Sequence, residues 1–187
     1  RLKGKVTVVT GAGSGFGRGI AIRFAEKGAQ VIVADINADT AQAVAAEIGE
    51  SAVAVAADVS QNADVEVMIQ AAVNHWGRLD ILVNNAGTTH RNKPATEVSE
   101  DEFDRIFAVN VKSVYLGAKH AIPQMKAQGG GMILNVASTA GVRPRPGLVW
   151  YNTSKGAMIT ATKALAVELA PHKIRVCAIN PVAGETG

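Results

Sequence analysis

Directly after the β-branched run Val6-Thr7-Val8-Val9-Thr10 come Gly11, Gly13, Gly15 and Gly17, and a helical pattern then runs through Ile20, Ala21, Phe24 and Ala25 to Gly28. A strand, a glycine turn and a helix in this order constrain the fold more than any other stretch. The chain must reverse within a few residues and lay the helix back against the strand. Gly11 permits the tight turn, Gly15 a close approach of backbone to a pyrophosphate, and Gly17 close packing of helix on strand. The N–H groups that open such a helix have no acceptor within it and favour an anion, so the turn reads as a dinucleotide-binding loop.

The rest of the chain repeats the alternation. Apolar runs at residues 31–35, 52–56, 79–83, 132–136 and 174–179 predict five further strands. Helical patterns span 41–48, closed by Gly49, then 64–76, a long region 99–128 and 151–169. Ser99 and Glu102 form a capping box in sequence, and Pro123 predicts a kink or break within the long region. Strands that are apolar throughout and joined by helices predict a mostly parallel sheet covered on both faces, an α/β fold. Residues 1–187 are read as one domain that binds a dinucleotide and carries the catalytic groups. The loops 88–97 and 139–149 follow strands, where the ligands of open α/β sheets gather.

Composition narrows the function classes. Nineteen basic and 16 acidic residues give a net charge of +3, mixed along the chain with no basic block and few aromatics, which speaks against a nucleic-acid partner. No apolar run approaches the roughly 18 residues of a membrane span, so the reading is a cytoplasmic protein with no membrane partner. The histidines at 75, 90, 120 and 172 stand far apart and only Cys177 is present, so no metal is expected. Cys177, inside an apolar run, is expected to pack as a small hydrophobe. No G-K-[ST] follows the glycine turn, which argues against a nucleoside triphosphatase.

Asp35 ends the second strand, 18 residues beyond Gly17. A carboxylate there accepts hydrogen bonds from the adenosine ribose hydroxyls and repels a 2′-phosphate. No Arg or Lys follows it closely, and Ser14 rather than a basic residue precedes Gly15, so the predicted cofactor is NAD over NADP. Asp58, just past the third strand, serves either as an acceptor for the adenine amino group or as an N-cap. Tyr151 and Lys155 stand four apart on a predicted helix and so share a face. An ammonium beside a phenol favours the phenolate and makes the phenol a usable acid near neutrality. Solvated helix faces carry the same spacing by chance.

Together these motifs resemble the short-chain dehydrogenase/reductase family over essentially the whole chain, in the branch of 3-oxoacyl carrier-protein reductases, hydroxysteroid dehydrogenases and small secondary-alcohol or sugar dehydrogenases. The resemblance implies a Rossmann-like doubly wound sheet of order 3-2-1-4-5-6. It makes Thr10 to Gly17 the cofactor loop, with Ser14 and Phe16 beside the glycines, and adds Ile36 after Asp35 and Val59 after Asp58 to the cofactor site. Asn84-Asn85-Ala86-Gly87 becomes the segment in which Asn84 steadies the sheet and Asn85, Ala86 and Gly87 lie beside the cofactor. Asn110 matches the asparagine that holds a water near the lysine, Ser138 the substrate-orienting serine, and Tyr151 and Lys155 the catalytic pair, with Lys155 on the nicotinamide ribose. Thirteen residues from Ser138 to Tyr151 fit the family spacing. Pro181, Val182 and Thr186 fall beside the nicotinamide, although Val182 stands where the family carries glycine.

The implied reaction is hydride transfer between nicotinamide and a small alcohol or ketone, in a homotetramer or homodimer packed through the long helices. Family members run on through a seventh strand beyond the residues of this sequence, so the chain is expected to be incomplete. The alternatives are an NADPH-dependent 3-oxoacyl thioester reductase and a dinucleotide-binding protein without turnover.

Overall fold

A computed structural model describes residues 1–182 of the chain. Its strands are β1 (Val6–Thr10), β2 (Gln30–Asp35), β3 (Ala52–Ala56), β4 (Ile81–Asn84), β5 (Gly131–Val136) and β6 (Ile174–Ile179). All pair in parallel, in the order β3-β2-β1-β4-β5-β6. The helices are α1 (Gly15–Glu26), α2 (Ala38–Ile48), α3 (Asn62–Trp76), α4 (Glu100–Phe107), α5 (Ser113–Ala127) and α6 (Val149–Leu169). Strand order reverses between β1 and β4, and the loops leaving their carboxyl ends diverge to opposite sides, which opens a crevice.

Both faces of the sheet are covered, as the apolar runs require. On one face Val8, Ile32, Leu82, Ile133 and Val176 pack against Met68 and Ile69 of α3, Leu116 and Met125 of α5 and Leu169 of α6. On the other, Val9, Val31, Val33 and Val83 meet Ala21 of α1 and Ala41, Val44 and Ala45 of α2. Small residues on α1 and α2 let those helices lie close to the branched strands. At the amino ends of the strands the Asp80 carboxylate accepts from the Val6 N–H at 3.0 Å, from Lys5 at 3.0 Å and from Arg78 at 2.7 Å, which fixes β1 beside β4.

Two local expectations change. The long region 99–128 is interrupted not at Pro123 but at a π-helical turn, Ala108–Lys112, between α4 and α5. α5 runs on through Pro123 because Ala121 and Met125, both fully buried, hold its last turns on the sheet. The capping box at Ser99 and Glu102 is present. Cys177 is exposed rather than packed, because Ile174 and Val176 take the core-facing side of β6 and the alternate residues face away.

Three buried polar side chains cross the sheet to α6. Asn84 Nδ2 donates to Asn135 Oδ1 at 2.8 Å, Asn135 Nδ2 donates to Thr162 Oγ1 at 2.8 Å, and Thr162 donates to the Met158 carbonyl at 2.8 Å. The chain ties β4, β5 and α6, the three elements that carry or flank the candidate site. Thr162→Val keeps the shape and strands the Asn135 amide without an acceptor, which is expected to cost about 1–3 kcal/mol. Urea unfolding should show a lower midpoint with an unchanged slope; an unchanged midpoint refutes the role.

Candidate active site

The crevice has two lobes. The larger, about 540 Å³, is lined by Gly11, Ser14, Gly15, Phe16, Asp35, Ile36, Asp58, Val59, Asn85, Ala86 and Gly87, all expected from the sequence, together with Ala57, Thr88, Arg105 and Val109. The smaller, about 330 Å³, brings together Ser138, Tyr151, Lys155, Pro181 and Val182 with Thr88, Thr89, Val136 and Ala137. Phe16, Asn85, Gly87 and Thr88 line both lobes, so the two are continuous. Gly17 and Asn110 stand behind the walls, and Thr186 lies outside the described residues.

The larger lobe is shaped by β1 and its turn. Gly11 and Gly15 have φ of +60° and +55°, a backbone that glycine adopts without a steric penalty. A Cβ on Gly17 would collide with the Gly11 carbonyl oxygen and crowd Asn85 Nδ2, so α1 lies as near to the turn as a backbone can. The Thr10 hydroxyl donates to the Val83 carbonyl at 3.2 Å and accepts from the N–H groups of Asn85 and Ala86, each at 3.0 Å. Asn85 Nδ2 returns to the carbonyls of Thr10 at 2.8 Å and Gly11 at 3.1 Å. The turns after β1 and β4 are thus one hydrogen-bonded unit.

Asp35 sits at the far end of this lobe and is not a helix cap; Asn37 caps α2. Its Oδ2 accepts from the Gly13 N–H at 2.9 Å and its Oδ1 from the Asn37 N–H at 3.0 Å, so the glycine turn holds the carboxylate at the rim. Asp58 Oδ1 accepts from Ser60 N–H at 2.9 Å and Ser60 Oγ at 2.7 Å, while the residue lines the lobe. Among the described residues Ser14 makes no side-chain cap to α1, whose Gly15 and Phe16 line both the turn and the lobe. Arg105 was not expected from the sequence; only its place on α4 relative to the crevice reveals it.

In the smaller lobe Ser138 Oγ accepts from the Ala140 N–H at 3.1 Å, which leaves its own proton free to donate. Lys155 is buried and donates to the Val136 carbonyl at 2.9 Å, with its Nζ 5.9 Å from the Tyr151 ring centroid. Asn110 is fully buried on the π-helical turn. Its Oδ1 accepts from Thr88 N–H at 2.8 Å, and its Nδ2 donates to the Thr88 carbonyl at 2.8 Å and to Ser154 Oγ at 3.0 Å. The arrangement offers a phenol, a hydroxyl donor and a buried amine around one opening.

Residues 5–187 match the model of the short chain dehydrogenase family. A 4-formylbenzenesulfonate dehydrogenase of Comamonas testosteroni is 54% identical over 188 residues, 99% of this chain and 75% of that protein. A 2-(R)-hydroxypropyl-CoM dehydrogenase of Xanthobacter autotrophicus is 38% identical over 188 residues, 97% of this chain and 75% of that protein. The crystal structure of a 3-ketoacyl-(acyl-carrier-protein) reductase from Brucella melitensis complexed with NADH superposes with a TM-score of 0.98 at 55% identity, covering 100% of this chain and 78% of that one.

Burial lowers the Lys155 amine from its ordinary 10.5 to about 8, because the cation loses water on entering the protein. Below pH 8 the native and unfolded chains both carry this proton, and the cost of burying the charge is fully present. Between pH 8 and 10.5 the unfolded chain keeps a proton that the native chain has released, so stability from this group rises with pH. Lys155→Met should therefore stabilise the ligand-free protein at pH 7, with an advantage that shrinks by pH 10. Denaturant unfolding of both proteins across that range checks this, and a difference independent of pH refutes it.

Proposed function

We propose, for a chain that belongs to the short-chain dehydrogenase family and is an NAD(H)-dependent oxidoreductase of alcohols and ketones, that Tyr151 transfers the proton and that Ser138, Lys155 and Asn110 support it. The observation that carries this assignment is the convergence of Ser138, Tyr151 and Lys155 on one lobe continuous with the dinucleotide-shaped lobe. Residues 1–187 are read as one catalytic unit.

The larger lobe suits NAD(H). The opening turn of α1, with Gly15 and Phe16 on the lobe, suits a pyrophosphate. Asp35 at the rim suits ribose hydroxyls, and its charge opposes a 2′-phosphate. The Brucella protein, 55% identical, is described with NADH. Asp58 and Val59 would border the adenine, Asn85, Ala86 and Gly87 the middle of the cofactor, and Pro181, Val182 and Thr186 the nicotinamide end.

Bound NAD(H) supplies or accepts the hydride. In reduction Tyr151 gives its phenolic proton to the substrate oxygen, which Ser138 also binds through the proton that Ala140 leaves free. Lys155, held on the Val136 carbonyl, would favour the resulting phenolate by charge and would hold the nicotinamide ribose when the cofactor is bound. Asn110 Oδ1 and Lys155 Nζ each lie 3.4 Å from the point where a side chain on Gly87 would begin, and a water there would relay the proton. Oxidation runs the same groups in reverse.

Within this reading a 3-oxoacyl thioester is the second substrate class, favoured by the description of the Brucella reductase. Pairing of α4, α5 and α6 with symmetry mates would build the homotetramer or homodimer. No helix among the described residues is long and apolar enough to cross a membrane. A cytoplasmic setting is proposed from the NAD(H) pool that the reaction draws on.

Tyr151→Phe should lower kcat by about 10²–10⁴-fold while the Kd for NADH stays within about twofold of the parent, as uniform cofactor binding is untouched. Retention of parental kcat overturns the assignment. Binding titrations should show NADH held at least about tenfold more tightly than NADPH, and the reverse order removes Asp35 from its role. An NAD-linked screen across secondary alcohols, sugars, hydroxysteroids and 3-hydroxyacyl thioesters identifies the substrate class.

A further inference from the structure

The first turn of α6 carries Tyr151 as its third residue, yet this turn has no side-chain cap of its own among the described residues. Leu148 occupies the N-cap position with φ −128° and ψ 34°. The opening N–H groups of a helix lack partners within it, and an uncapped first turn frays unless something outside holds it. A group that must meet a substrate oxygen within a few tenths of an ångström cannot sit on a fraying turn.

The hold comes from the loop after β4. Lys93 N–H donates to the Gly147 carbonyl at 3.0 Å, Asn92 Nδ2 donates to the Pro146 carbonyl at 3.2 Å, and Trp150 Nε1 donates to the Ala95 carbonyl at 3.2 Å. Gly147 has φ +77°, and a Cβ there would collide with the Asn92 carboxamide, so the two loops meet at a point that admits no side chain. Behind the junction the Trp150 ring meets Phe103 of α4 edge-on at 5.3 Å, and Lys93 pairs with Glu102 at 2.7 Å.

These contacts complete a ring. Asn110 clamps Thr88 at the start of the same loop and donates to Ser154 Oγ, which in turn donates to the Tyr151 carbonyl at 2.7 Å. Tyr151 is thus held on one side through its own helix and on the other through its neighbour Trp150. None of Asn92, Gly147 and Trp150 belongs to the buried core of the sheet.

Resting on the assignment of Tyr151 above, we infer that Asn92, Gly147 and Trp150 form a clasp between the two cleft loops that substitutes for a helix cap and positions Tyr151 for proton transfer. They are positioning residues; none lines either lobe of the crevice. The clasp makes the wall carrying Thr88 and Thr89 and the turn carrying Tyr151 move as one body.

Trp150→Phe keeps the ring against Phe103 and deletes the indole donor, and Asn92→Ala deletes the carboxamide without touching the core. Both variants and their combination are compared with the parent and with Tyr151→Phe, using the alcohol that is fastest in the screen above. Each single variant should lose about tenfold or more in kcat, as expected for a small misplacement of a reacting group. The double variant should fall little further than the weaker single, as expected for residues acting as a unit. The Kd for NADH and the Tm should stay close to the parent. The loss should fall on kcat with KM for the alcohol within about twofold of the parent, the split expected when a group acting in the transition state is misplaced. Parental kcat in both single variants overturns the clasp, and so does a kcat loss matched by loss of Tm and cofactor binding, which would mark a role in folding alone. Tyr151→Phe separates the two readings: an inactive Tyr151→Phe beside fully active clasp variants refutes only the clasp, whereas an active Tyr151→Phe refutes both.

Discussion

The close approach of α1 to the end of β1 governs the crevice. With no side chain on Gly17, the first turn of the helix rests beside the Gly11 carbonyl and the Asn85 amide, and nothing larger than hydrogen fits between them. That contact decides where the opening N–H groups of α1 stand relative to the sheet. It also brings Asn85 within reach of the Thr10 and Gly11 carbonyls, so the turn after β4 takes its position from the turn after β1. Asp35 adds a third tie through Gly13. Both lobes therefore inherit their shape from one steric constraint at a single residue, and a methyl group there would disturb the smaller lobe through Asn85 and Gly87 as well as the larger one.

Burial of Lys155 works against stability. Its amine gives up water for the Val136 carbonyl, and desolvation brings it to about 8. A lysine so placed sits closer to neutrality than a surface one, which suits the part proposed for it beside Tyr151. The Asn84–Asn135–Thr162 chain passes its hydrogen bonds from one side chain to the next, so this part of the sheet tolerates polar groups in its interior.

The repeating strand-and-helix pattern was legible because each strand is apolar along its length and each glycine turn is local. Eleven of the residues that the glycine spacing, the acids after β2 and β3 and the family resemblance assigned to a cofactor line the larger lobe, while Gly17 stands behind its wall, since loops at the carboxyl ends of parallel strands converge whatever their sequence. What escaped the sequence depends on contacts distant in the chain. The π-helical turn at 108–112 has no local signature: Asn110 must swing inward to meet Thr88, 22 residues away. Pro123 signals a break locally, but the burial of Ala121 and Met125 overrides it. Arg105 joins the crevice only through the placement of α4, and the exposure of Cys177 follows from which face of β6 the helices cover. The Asn92–Gly147 junction reads in sequence as two ordinary polar loops.

The two ends of the sheet are built on opposite principles, and the division explains how a parallel sheet keeps an open reaction site. At the amino ends Asp80 gathers Lys5, Arg78 and the Val6 N–H, and β1, β4 and β5 are locked in register by backbone bonds from Asp80 to Val6 and from Met132 to Asp80. At the carboxyl ends the same strands stop at Thr10, Asn84 and Val136: the Thr10 hydroxyl accepts from the loop N–H groups of Asn85 and Ala86, the Val136 carbonyl accepts from Lys155, and Asn84 keeps a side-chain tie to Asn135 of β5. Rigidity at one end lets the other carry an uncapped helix turn, a buried amine and glycines of unusual backbone without losing the register that aims them. Ser138 stands on the loop after β5 and Tyr151 and Lys155 on α6, and their relative positions follow from strands fixed at the far end.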